Sequence, residues 1–333
     1  MRIFACVLAL SLLLCSTSLQ STTTSVVTLP ANTPARIPWP AGLPVYDHIV
    51  IVVMENKNYE DIIVRYKSAA PYINDTLKAE GANLTQMYAE EHRSQGNYFW
   101  LLSGSNQKVG FGDKIPLKPI GASSLGEQLI RTGRSFKGYS EDLPTIGSRV
   151  PQSGLYARKH VPWISFSNIP NGTTVANSSN LRFKDFPSDY SSLPTISFVI
   201  PNLVNDMHDG VKPSSILAGD TWLWEHIGDY YNWAKQHNSL LILTFDEDNH
   251  GGDDLTDPAS PRPEKRNHIV TILAGAHIKP GEYPEEKGVT HVNLLRTLEA
   301  MYKLNKSGAQ QKYALQAGIT DDFIITDIFD VRP

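Results

Sequence analysis

The chain is nearly without cysteine. Cys6 and Cys15 are the only two in 333 residues, and both lie near the start. A disulfide framework and a thiolate metal site are therefore excluded from the remainder of the chain. An excess of basic charge is also missing. Thirty Lys and Arg stand against 34 Asp and Glu, for a net charge of −4; this argues against nucleic acid or a membrane surface as partner. No apolar run is long enough to span a bilayer. The longest, residues 3–14, follows Met1-Arg2 and precedes the small, polar Cys15-Ser16-Thr17-Ser18. That is the pattern of a secretory signal peptide over residues 1–20, so a secreted or periplasmic protein is expected.

Residues 21–44 are rich in Thr, Ser and Pro and are expected to form an extended N-terminal arm. Residues 45–333 are long enough for one large core, and no linker divides them. Five Asn-x-Ser/Thr sequons, at Asn74, Asn83, Asn171, Asn177 and Asn305, matter only where the source glycosylates.

What is present is a set of short, β-branched runs that end in polar clusters. Residues 48–54 (His-Ile-Val-Ile-Val-Val-Met) read as a strand buried on both faces and end in Glu55-Asn56. Residues 196–200 run into Asn202, Asp206 and His208, and residues 240–245 run into Asp246-Glu247. Residues 269–273 read as a fourth strand, followed by a helix from His291 to Tyr302. Further helices are expected within 59–80, from Ser94 to Gly104, over 124–132 and over 218–236. Trp222, Trp224, Tyr230, Tyr231 and Trp233 on the last of these read as core packing. Residues 133–192, rich in Pro, Gly and Ser, read as a long loop-rich excursion that helps shape a pocket. Apolar strands alternating with helices predict an α/β layered domain.

If the sheet is parallel, the polar clusters meet along the carboxyl edge of the strands, where ligands bind in such sheets. Glu55 and Asn56 then offer two hard oxygen ligands to a cation. Asp246 and Glu247, adjacent carboxylates after a buried strand, are costly without one. Helix capping by Glu55 and Asn56 is the competing explanation for that pair. A calcium loop over residues 246–257 competes for the acidic pair, but it carries His250 where Asp or Asn is wanted.

Six segments in order resemble the secreted acid phosphatase/phospholipase C phosphoesterase family of the alkaline phosphatase-like superfamily. They are His48–Asn56, Ser94-Gln95-Gly96-Asn97-Tyr98, Pro201-Asn202 through Asp209, Gly219-Asp220-Thr221-Trp222-Leu223, Thr244-Phe245-Asp246-Glu247, and Thr290-His291 through Arg296. The resemblance implies a three-layer α/β/α sandwich around a mostly parallel sheet. It implies a metal held by Glu55, Asn56, Ser94, Asp246 and Glu247, with Ser94 as nucleophile. Gly96 stands where that family commonly has Pro, which is expected to loosen the turn.

Phosphate ester hydrolysis needs an in-line nucleophile, charge neutralisation and a proton for the leaving alkoxide. Metal coordination and a helix N-terminus would both activate Ser94. His208, His160 and His291 are the candidate imidazoles at the phosphate, and Asn97 and Asp206 the candidate substrate contacts. The expected cofactor is one divalent ion, Ca²⁺, Mg²⁺ or Mn²⁺ from the oxygen-rich set, with Zn²⁺ as a further option. The expected activity is a metal-dependent phosphomonoesterase with a phosphoserine intermediate. It would favour acidic pH, acting on a phosphorylated small molecule or lipid. The alternatives are a phospholipase C-type phosphodiesterase and a non-catalytic phosphate-binding protein.

Overall fold

The computed structural model describes Pro40 and residues 42–109, 115–116, 118–249 and 267–330. The expected signal peptide, nearly all of the arm and most of the calcium-loop alternative lie outside these residues. Among the described residues no helix is long and apolar enough to cross a membrane.

The core is an eight-stranded sheet. In chain order its strands are β1 (His48–Met54), β2 (Ala82–Leu84), β3 (Phe136–Ser140), β4 (Asn180–Arg182), β5 (Ile196–Ile200), β6 (Ser239–Phe245), β7 (Thr271–Gly275) and β8 (Gly281–Tyr283). They lie side by side in the order β8-β2-β7-β6-β1-β5-β3-β4. β1 sits at the centre, parallel to β5 on one side and β6 on the other. Ile49 to Met54 are almost fully buried, as a strand sandwiched between layers should be. Helices α1 (Ser94–Ser103), α2 (Leu125–Arg131), α3 (Ser214–Ala234) and α4 (His291–Met301) fall close to their expected spans. On α3, Trp222, Tyr230 and Tyr231 are buried, whereas Trp224 faces solvent.

Two features go beyond the sequence reading. The strand near residue 270 runs antiparallel to β6, with Thr271 opposite Thr244 and Gly275 opposite Leu240. An antiparallel partner needs no crossover helix. Residues 274–277 therefore leave at the edge opposite Glu55 and Asp246. The excursion 133–192 is also not all loop, since β3 and β4 extend the parallel sheet beyond β5. Gly138 hides β3 in the sequence. A Cβ there would lie 2.0 Å from the Trp163 ring, so a strand-weakening residue is required where the indole packs on the backbone.

Between β1 and β2 the chain makes wide helical turns at Asp61–Arg65 and Tyr72–Leu77. The second holds Asn74, buried and donating to the Ile62 and Ala70 carbonyls. Asn83 is likewise buried in β2 and donates to Tyr59 Oη. Those two sequons are closed in the folded chain.

Candidate active site

β1, β5 and β6 run in one direction, so their carboxyl ends deliver Glu55-Asn56, Asn202–His208 and Asp246-Glu247 to one edge of the sheet. The N-terminus of α1 brings Ser94 to the same place. Ser94 Oγ lies 2.8 Å from Glu55 Oε2 and 3.3 Å from Glu247 Oε1. Asn56 donates from its backbone N–H to Asp246 Oδ1 at 3.1 Å and from Nδ2 to Glu247 Oε1 at 2.9 Å. Tyr98 Oη donates to Glu55 Oε1 at 2.5 Å.

His160 enters from the excursion. Its Nε2 is 3.2 Å from Glu55 Oε1 and its Nδ1 3.6 Å from Asp206 Oδ2. Ligand atoms of Glu55, His160 and Asp206 all fall within 4.8 Å of one another. Asn56 Oδ1, Asp246 Oδ2, Asp206 Oδ2 and His160 Nε2 are buried without a well-aligned hydrogen-bond partner. Orphaned buried oxygens converging with a buried nitrogen are what a cation site leaves behind, because unpaired groups of this kind are otherwise costly. The residues therefore fit a divalent ion.

Electrostatics agree. Burial, then Asp246 and Asp206, raises the Glu55 carboxyl well above its usual range. Burial raises Asp206 as well. Asp246 is pushed up to about 7 by burial and then by Glu247. So many dry carboxylates cannot all ionise without positive charge among them. His160 is held neutral by burial, then by Lys159, the form in which imidazole ligates metal.

Above this nest opens a cavity of about 430 Å³, lined by Asn56, His92, Arg93, His208, Glu247, Asp248 and Asn249. His208 is exposed in it, with Nδ1 held by Asp209 Oδ1 at 2.7 Å. Asp206 Oδ1 accepts the His208 backbone N–H at 2.8 Å and fixes the turn.

The structure thus brings together Glu55, Asn56, Ser94, Asp206, Asp246, Glu247, His160 and His208. It places two expected residues differently. Asn97 Oδ1 accepts from the Glu90 and Glu91 backbone N–H groups, and its Nδ2 donates to the Glu91 carbonyl; the side chain is thereby occupied in bracing the loop. His291 is buried, with Nδ1 on Glu90 Oε2 at 2.8 Å and Nε2 on the Phe245 carbonyl at 2.8 Å. Both its ring nitrogens are committed beneath the acidic pair, away from the cavity lining. Lys57, Tyr98 and Arg93 also belong to the site. The signal for each was adjacency to a candidate: Lys57 follows Glu55-Asn56, Arg93 precedes Ser94, and Tyr98 lies one helical turn beyond Ser94.

A family model described as the Phosphoesterase family matches residues 76–305. The chain is similar to a phosphatidylinositol-3-phosphatase of Mycobacterium tuberculosis, at 43% identity over 271 residues, 80% of this chain and 81% of that protein. It is also similar to a phosphate-repressible acid phosphatase of Penicillium chrysogenum, at 28% identity, covering 79% of this chain and 60% of that one. Among solved structures it resembles an alkaline phosphatase superfamily protein of Vibrio parahaemolyticus, with TM-score 0.53 and 12% identity over 82% of this chain and 72% of that one. At that identity the likeness shows the fold alone.

Proposed function

Because the chain belongs to the Phosphoesterase family and is a hydrolase of phosphate esters, we propose that it is an exported, metal-dependent phosphomonoesterase working through a phosphoserine on Ser94. The observation that carries this reading is the 2.8 Å contact of Ser94 Oγ with Glu55 Oε2, inside a nest of orphaned carboxylate and amide oxygens. Glu55, Asn56, Ser94, Asp246 and Glu247 would hold the cation, with His160 and Asp206 against Glu55. When bound, the ion supplies charge neutralisation and lowers the hydroxyl pKa of Ser94. Oxygen donors with one imidazole suit Mg²⁺, Ca²⁺ or Mn²⁺, and the imidazole extends the range to Zn²⁺.

Ser94 Oγ loses its proton to Glu55 Oε2 and forms the new bond to phosphorus. The bond from phosphorus to the ester oxygen breaks, and His208, whose Nδ1 is anchored by Asp209, protonates the departing alkoxide from Nε2. Water then attacks phosphorus and gives a proton to the now neutral His208, the Oγ–P bond breaks to release phosphate, and Ser94 Oγ takes its proton back from Glu55. A protonated His208 is needed in the first half, which favours acidic pH.

The cavity supports a choice of substrate class. Every described residue lining it is polar, so it suits a phosphate monoester on a polar carrier. The name of the Mycobacterium relative supports a phosphorylated inositol headgroup as one such carrier. Comparing p-nitrophenyl phosphate with p-nitrophenyl phosphorylcholine, with and without chelator, tests this. The monoester should be hydrolysed preferentially, and chelation should abolish turnover until a divalent ion is restored. Equal rates on the diester, or full activity in chelator, would refute it.

A further inference from the structure

Arg93 is a strained residue in a telling place. It has a side chain, yet its φ is +80° and ψ 117°, a region that disfavours any Cβ. The conformation is held by its backbone N–H, which donates to Glu247 Oε2 at 2.7 Å. Its exposed side chain lines the 430 Å³ cavity with His208 and Asn56. Ser94 is the next residue in the chain.

Charge gives this placement meaning. Among the described residues lining the cavity, His92 and His208 are imidazoles, Glu247 and Asp248 are acidic, and Arg93 alone is a permanent cation. Lys57 is also cationic but is buried, with its Nζ on the Met207 carbonyl. A dianionic phosphoryl group entering past two carboxylates needs positive charge at the mouth. A guanidinium offers a planar fork matched to two phosphate oxygens.

Building on the phosphomonoesterase reading, we propose that Arg93 is a substrate-contact residue. Its guanidinium takes non-bridging oxygens of the phosphoryl group as the ester settles over Ser94. The contact forms with the ground state as well as the transition state, so it acts mainly on binding.

Glycine separates this role from a purely backbone one. Arg93→Gly removes the guanidinium and relieves the positive φ at once. Steady-state kinetics on p-nitrophenyl phosphate should show KM raised about 10- to 100-fold in both Arg93→Gly and Arg93→Ala, as for loss of a charge-assisted hydrogen bond. kcat should fall far less, and Arg93→Lys should lie between. The Kd for inorganic phosphate, read by calorimetry, should weaken in parallel. If Arg93→Gly keeps wild-type KM and phosphate Kd, the residue serves only the backbone and the proposal is overturned. If the wild type does not hydrolyse the monoester, the functional reading fails, and phosphate Kd in wild type against Arg93→Gly still decides the role of Arg93.

Discussion

Lys57 shows how much of the site depends on a group that does no chemistry itself. It is 5% exposed, and burial, then Lys212, lowers its pKa. Its Nζ donates to the Met207 carbonyl at 2.5 Å. Met207 has a φ of +80° between Asp206 and His208, so the bond pins a strained turn that presents the histidine. Lys57→Met keeps the bulk and deletes the bond. It should lower kcat/KM on p-nitrophenyl phosphate by about 10- to 100-fold, the cost of a buried charged hydrogen bond; an unchanged kcat/KM would show that the turn holds itself. Glu55 and Asn56, beside Lys57, were legible in the sequence because two adjacent polar residues ending an apolar strand are conspicuous. A lone lysine after them reads as a solvated charge, and only the sheet shows that it is inside. His291 is the converse: its motif is conspicuous, but its partners Glu90 and Phe245 are set by packing that no spacing reveals.

The start of α1 makes the same point for a whole element. Gly96 reads as a loosened turn, yet a Cβ there would lie 1.6 Å from Glu91 Oε1. The space is filled by that carboxylate, which accepts from Asn106 Nδ2 at 2.9 Å. Gly96→Ala should therefore destabilise the wild type by about 1–3 kcal/mol through overpacking. In a Glu91→Ala background the same change should be neutral or stabilising, since alanine favours helix. Urea melts of the four proteins measure this, and additive effects would refute the pairing. The helix itself and its Gly104 stop were plain from the sequence; β3 and β4 were not, because Gly138 and the surrounding Pro and Gly mask strands that extend the sheet and against which Trp163 packs.

For the whole molecule, the parallel set β1, β5 and β6 was readable from apolar runs, and it alone explains why residues nearly 200 positions apart meet, as the |i−j| of 191 between Asn56 and Glu247 records. The reversed β7 was not readable, since strand direction depends on the connection rather than on the strand. Global stability carries a signature of buried acid. Burial, opposed by the Asn106 bond, raises Glu91 to about 7. Its folded pKa lies above its unfolded one, so its contribution is complete below about pH 4.5 and is lost as pH rises through about 7. Unfolding free energy should fall by on the order of 1–3 kcal/mol across that window, and Glu91→Gln should flatten the slope; an identical pH profile in the variant would count against it. The most direct test of the reading as a whole is an acid quench of enzyme turning over p-nitrophenyl phosphate, followed by peptide mass spectrometry. A phosphoserine mechanism predicts one phosphoryl group on Ser94, absent from Ser94→Ala, which should also be inactive. Phosphate on another residue, or turnover by Ser94→Ala at the wild-type rate, would contradict it.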